Sequence, residues 1–124
     1  MASLRALDPR VYPLARAFVR ALERSWRMRV NVSSTRRDFD VQSRLYEDYL
    51  AGRTRYPVAP PGRSTHGRGI AFDLQLDGLS PGAVSGERAP WQYQVAGRLW
   101  ESLGLTWGGR FHDPIHFDTR TRQV

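Results

Sequence analysis

Three histidines stand in the chain, and they fall in two Gly-rich segments with carboxylates close by. The first segment is Ser64-Thr65-His66-Gly67-Arg68-Gly69-Ile70-Ala71-Phe72-Asp73. The second is Trp107-Gly108-Gly109-Arg110-Phe111-His112-Asp113-Pro114-Ile115-His116-Phe117-Asp118. Imidazole and carboxylate are both zinc ligands, and a catalytic zinc takes three protein ligands and keeps one position open. His66 precedes a strand that carries Asp73, and Gly67 and Gly69 let the chain turn so that His66 reaches the same face. His116 and Asp118 share one face of a second strand, with Ile115 and Phe117 on the other. Asp113 lies three residues before His116 and is presented from a turn, because Pro114 breaks any helix there. A carboxylate beside a metal-bound imidazole is where a general base is needed. His112 is a poor co-ligand with His116, since four extended residues span about 13 Å. On spacing alone the plainer reading stays open: a His-Gly turn, and strand aspartates, Asp118 included, that meet solvent.

The elements that position these residues follow from hydrophobic periodicity. Asp8-Pro9 marks a helix start, and Val11, Leu14, Phe18, Leu22 and Trp26 give a helix over 9–26. Arg16, Arg20, Arg24 and Arg27 form its solvated face. Met28 to Val32 alternates as a strand. Asp38 caps a second helix with Val41, Leu45, Tyr46 and Tyr49 as its stripe, ended by Gly52. Residues 53–64 read as a loop. In Ile70 to Leu76, Ile70, Phe72, Leu74 and Leu76 face one way, and Ala71, Asp73 and Gln75 the other. A turn at Asp77-Gly78 and a loop over 78–90 follow. Trp91, Val95, Leu99 and Leu103 mark a third helix closed by Gly104, and a last strand covers Pro114 to Thr119. Three helices and about four short strands predict an α+β fold with a small, mainly antiparallel sheet. The expectation is a single domain over 1–124.

Composition narrows the function classes. Cysteine is absent, which excludes disulfides, iron–sulfur clusters and thiolate zinc sites. All 19 basic residues are Arg, against 12 acidic ones, for a formal net charge of +7. Such a surface favours polyanions. Arg is spread along the whole chain, which argues against a specific nucleic-acid face. No apolar run approaches the ~18 residues of a membrane span. The start, MASLRALDPR, has no apolar h-region, so the expectation is synthesis in the cytoplasm without a signal peptide.

The two segments resemble the zinc D-Ala-D-Ala carboxypeptidase and L-alanyl-D-glutamate endopeptidase family. It includes small phage endolysins and resistance dipeptidases, and shares a metal-binding fold with the hedgehog signalling domain. Its pattern is S-x-H-x-x-G-x-A-x-D, then W-G-G, then an acidic residue three positions before a final His. Ser64, His66, Gly69, Ala71 and Asp73 match the first part, Trp107-Gly108-Gly109 the second, and Asp113-Pro114-Ile115-His116-Phe117 the third. Ser34-Thr35-Arg36-Arg37 followed by Gln42 matches an upstream turn if Arg37 is the family arginine. The resemblance spans about residues 28–120.

The resemblance implies one Zn²⁺ per chain held by His66, Asp73 and His116, with Asp113 as general base. Arg37 would stabilise charge on the scissile carbonyl or bind a substrate carboxylate. Arg36, pointing the opposite way on an extended segment, is its competitor. Ser64 would support the His66 turn or touch substrate, Trp107 would pack behind the site, and Asp118 would either orient His116 as a hydrogen-bond acceptor or, on the plainer reading, meet solvent at the strand end. The Asp-Pro-Ile-His-Phe form looks like the L-alanyl-D-glutamate endopeptidases. The implied protein is a monomeric zinc metallopeptidase that hydrolyses the peptidoglycan stem peptide as a phage-type endolysin. Its positive surface would draw it to an anionic wall after release. A D,D-carboxypeptidase or dipeptidase on the same fold, or an inactive zinc-containing binding module, are the alternatives. The loops at 53–63 and 78–90 are the expected specificity elements.

Overall fold

The structure is a computed structural model and describes residues 2–35, 46–54, 57 and 69–121. Helix α1 spans Tyr12–Ser25, strand β1 Val30–Ser34, and α2 is described at 46–50. Strand β2 spans Ala71–Leu76, α3 Trp91–Glu101, β3 Leu105–Trp107 and β4 His116–Thr121. The sheet runs in the order β1-β2-β4-β3 with every pairing antiparallel. The α+β class read from the sequence is therefore the class observed.

Helix α1 starts three residues later than its sequence signal. Asp8 does not cap it; the Asp8 carboxylate accepts the Arg10 N–H at 2.8 Å, and its carbonyl accepts from Val11 and Tyr12. That closes a turn of the kind Asp favours. The helix then buries Ala15, Phe18, Val19 and Leu22, while Trp26 stays 48% exposed. Arg16, Arg20, Arg24 and Arg27 are all exposed, as a solvated face requires.

One face of the sheet is the core. Phe72 on β2 and Phe117 on β4 are register partners, and their rings stack at 5.7 Å and 16°. Phe18 of α1 lies 5.3 Å from Phe117 and 4.8 Å from Trp100 of α3. Trp100 meets both sheet phenylalanines edge-on. Aromatic contacts of this kind contribute about 0.5–1.5 kcal/mol each beyond their area burial.

Helix α3 turns a different face inward than its apolar spacing predicts. Trp91 and Leu103 are about half exposed, and Tyr93, Ala96, Gly97 and Trp100 are buried. Polar tips decide the rotation. The Tyr93 hydroxyl accepts the Leu76 N–H at 3.0 Å and donates to the Leu79 carbonyl at 2.7 Å. Trp100 Nε1 donates to the Asp118 carbonyl at 2.9 Å. Both aromatics hydrogen-bond to sheet or turn backbone, which Leu99 and Val95 cannot do. Among the described residues, no helix is long and apolar enough to cross a membrane.

Candidate metal and catalytic site

The face of the sheet opposite the aromatic core carries the ionisable residues. Strand alternation dictates this: Asp73 flanks Phe72 on β2, and His116 and Asp118 flank Phe117 on β4. Register completes it, because Asp73 pairs with His116 and Ala71 with Asp118. Asp73, His116 and Asp118 are 7%, 6% and 0% exposed.

His116 lies between two carboxylates. Its Nε2 is 2.7 Å from Asp118 Oδ2, and its Nδ1 is 3.5 Å from Asp73 Oδ1. Burial alone would lower the imidazole pKa, but hydrogen bonding to Asp118 and Asp73 outweighs it and pushes the value up to about 9. For Asp118, burial pulls upward, and the hydrogen bonds from His116 and Arg120 pull harder, down to about 2. Arg120 gives Asp118 three bonds: its backbone N–H and Nε to Oδ1 at 2.9 and 3.1 Å, and Nη2 to Oδ2 at 2.8 Å.

The Nδ1–Oδ1 separation bears on metal binding. Zn–N and Zn–O bonds of about 2.0–2.2 Å at tetrahedral angles place two ligand atoms roughly 3.3–3.5 Å apart. The 3.5 Å gap between His116 and Asp73 is the length of such an edge, and the donor types suit zinc. Among the described residues no group of three His, Cys, Asp or Glu side chains forms a metal site. His66, the third expected ligand, lies outside the described residues. So do Ser64, Arg36 and Arg37.

Asp113 enters through a turn whose geometry is set by Trp107-Gly108-Gly109. Trp107 is 6% exposed, and its Nε1 donates to the Pro114 carbonyl at 2.8 Å. It packs behind the turn, as expected of it. The Asp113 N–H donates to the Gly108 carbonyl at 2.8 Å, and the His116 N–H to the Asp113 carbonyl at 3.0 Å. Any side chain at Gly108 would overlap the Asp113 carbonyl, and one at Gly109 or Gly97 would strike the Trp107 ring. The glycines let backbone approach backbone and indole. His112, at φ 64, ends the Gly108–Phe111 3-10 turn and is exposed. It sits in a tight turn, not four extended residues from His116, yet stays outside the buried cluster.

Asp118 lies inside this buried cluster. Of its two readings from sequence, the solvated strand end is overturned: the residue is fully buried against the His116 ring. Its spacing of two from His116 was the available signal. A separate cavity of about 620 Å³ is lined by Glu87, Arg98, Glu101, Trp107 and Arg110 among others, and by none of Asp73, Asp113 and His116. Its buried Glu101 is held by two bonds from Arg110 at 2.8 and 3.0 Å.

A sequence model of the family described as D-alanyl-D-alanine carboxypeptidase matches residues 58–119, the span that holds both His-bearing segments. No curated protein matches the chain. Among solved structures, the chain is similar to the vancomycin-resistance D,D-pentapeptidase VanY of a VanB-type cassette, a point variant in complex with Zn(II). The TM-score is 0.61 at 22% identity, covering 91% of this chain and 72% of that one. A complex of VanYB with D-alanine-D-alanine gives a TM-score of 0.57 at 21% identity, covering 91% and 71%. The L-Ala D-Glu endopeptidase ChiX of Serratia marcescens gives 0.56 at 23%, covering 94% and 83%. At these identities the likeness is one of fold.

Proposed function

Because the chain belongs to the D-alanyl-D-alanine carboxypeptidase family of peptidases, we propose that it is a zinc-dependent peptidoglycan hydrolase that cuts the stem peptide between L-alanine and D-glutamate. The observation that carries the reading is the cross-strand pair Asp73 and His116, with Asp113 in the hydrogen-bonded turn that leads into His116. His66, Asp73 and His116 would hold one zinc per chain. Bound there, zinc would supply Lewis acidity toward the scissile carbonyl and a water of lowered pKa. Asp113 accepts the proton of the attacking water and returns it to the leaving amine. Arg37, or Arg36 in its place, would stabilise charge developing on the carbonyl oxygen, and Ser64 would support the His66 turn or touch substrate.

The endopeptidase assignment is supported by the Asp-Pro-Ile-His-Phe run and by the likeness to ChiX, which covers 83% of that chain. A D,D-carboxypeptidase is the second reading, favoured by the family description and by the D-alanine-D-alanine complex of VanYB. We take the chain to act as one monomeric domain. The net charge of +7 suits an anionic wall reached after release from the cytoplasm, as in phage lysis.

Digestion of purified peptidoglycan tests the reading. A new D-glutamate amino group, lost with chelator and restored by zinc, is the expected product. Released D-alanine would replace the assignment with carboxypeptidase. Asp113→Ala should lower turnover by at least ~10²-fold while zinc stays bound. Full activity in that variant would remove Asp113 from the mechanism.

A further inference from the structure

We infer that Asp118, clamped by Arg120, is a positioning residue that fixes the His116 ring with Nδ1 directed toward the metal. The inference rests on the zinc reading above. An ionised carboxylate only accepts hydrogen bonds, so the 2.7 Å contact to Asp118 Oδ2 requires His116 Nε2 to carry a hydrogen. Nδ1, on the other side of the ring and 3.5 Å from Asp73 Oδ1, is then the nitrogen whose lone pair meets a cation. Metal-ligating imidazoles hold their ring orientation through such a bond from the second nitrogen.

The carboxylate itself cannot rotate. Oδ1 takes the Arg120 backbone N–H and Nε, Oδ2 takes Nη2, and the Asp118 carbonyl is held by Trp100 Nε1. Ala71 stands directly across from Asp118 and is itself fully buried. Its single methyl leaves space for the carboxylate beside the imidazole, which gives the alanine of the first motif a physical reason. A fully buried charge is costly to retain, and an apolar pair of similar volume would serve stability as well or better. Orientation of His116 is what the charge adds.

The test uses the full chain and two variants, Asp118→Asn and Arg120→Gln, with zinc as the probe. Zinc affinity is read by competition with a chromophoric chelator, and the His116 Nε2–H by proton NMR of the zinc-loaded protein. Asp118→Asn should weaken zinc binding by ~10–100-fold and shift and broaden the Nε2–H signal as it exchanges faster with water. Arg120→Gln, which changes a half-exposed side chain and should fold, gives a smaller loss of the same sign. It decides alone if Asp118→Asn does not fold. Folded variants that bind zinc as tightly as the parent, with the Nε2–H signal unchanged, would overturn the positioning role and leave the zinc reading standing. A folded parent that binds no zinc would overturn both.

Discussion

Gly108→Ala is the sharpest perturbation of the turn that presents Asp113. A Cβ at this position would overlap the Asp113 carbonyl oxygen and lie 2.7 Å from His116 Cβ, where contact normally begins near 3.5–4.0 Å, roughly. The nearest obstacle is backbone, so no side-chain rotation relieves it. Overpacking of this kind costs about 1–3 kcal/mol, occasionally more. Displacing the turn forfeits the Asp113 N–H bond to Gly108 and the Trp107 bond to Pro114, about 1 kcal/mol each. Replacing glycine returns ~0.4–1 kcal/mol through the unfolded chain. The net loss is about 3–4 kcal/mol, a large part of the ~5–15 kcal/mol that holds a domain folded. Gly52→Ala is the control. Nothing lies within 4 Å of its Cβ, and only its φ of +73 opposes alanine, at roughly 1–2 kcal/mol. The unfolded-chain return is common to both variants and cancels, so denaturant unfolding should separate them by about 2–3 kcal/mol, with zinc binding and turnover lost in the first alone. Equal losses in both would refute the claim that Gly108 is there for the Asp113 turn.

Trp107→Phe should cost about 2–3 kcal/mol, since it leaves the Pro114 carbonyl without its buried donor. It should lower kcat more than it raises KM, and stability within ~0.5 kcal/mol of the parent would contradict it. The metal-free protein should show a stability plateau bounded by His116 and Asp118. His116, raised from 6.5 to about 9, contributes fully below pH 6.5 and loses that contribution as pH rises through 9, about 3 kcal/mol in all. Asp118, lowered from 3.8 to about 2, contributes above pH 3.8 and loses it as pH falls through 2. Thermal unfolding of the chelated protein across pH 3–10 checks both limbs; a metal-free protein that grows more stable between pH 6.5 and 9 would contradict the first.

The site strands were legible because period-two alternation is a strong local signal. Ile70 to Leu76 and the run around His116 each separate an apolar face from an ionisable one, and pairing of the two strands leaves those faces aligned. The inward face of α3 was not legible. Its apolar residues recur on one stripe, but the helix is turned by hydrogen bonds from Tyr93 and Trp100 and by the fit of Trp107 against Gly97. These are tertiary facts, absent from the helix's own periodicity. Strand β3 was missed for a related reason: at three residues it is too short to alternate, and pairing with β4 makes it a strand. The solvated reading of Asp118 failed because the strand runs on to Thr121 and the carboxylate is covered by His116 and Arg120.

The charges of the buried cluster bear on what this sheet face would hold. Asp73 and Asp118 bring two negative charges, and Arg120 one positive charge held against Asp118. One more positive charge makes the group neutral, and in the metal-free chain a proton on His116 supplies it; burial opposes that proton, and the hydrogen bonds to Asp118 and Asp73 hold it to about pH 9. A dication between Asp73 and Nδ1 would displace that proton, since metal ligation requires the neutral ring. Zinc uptake near neutral pH should therefore release a proton from His116, and apparent zinc affinity should climb as pH rises toward 9. On the proposed zinc reading the proton would hold the place of the metal, and the carboxylates that raise the imidazole pKa are the groups that would favour the cation there.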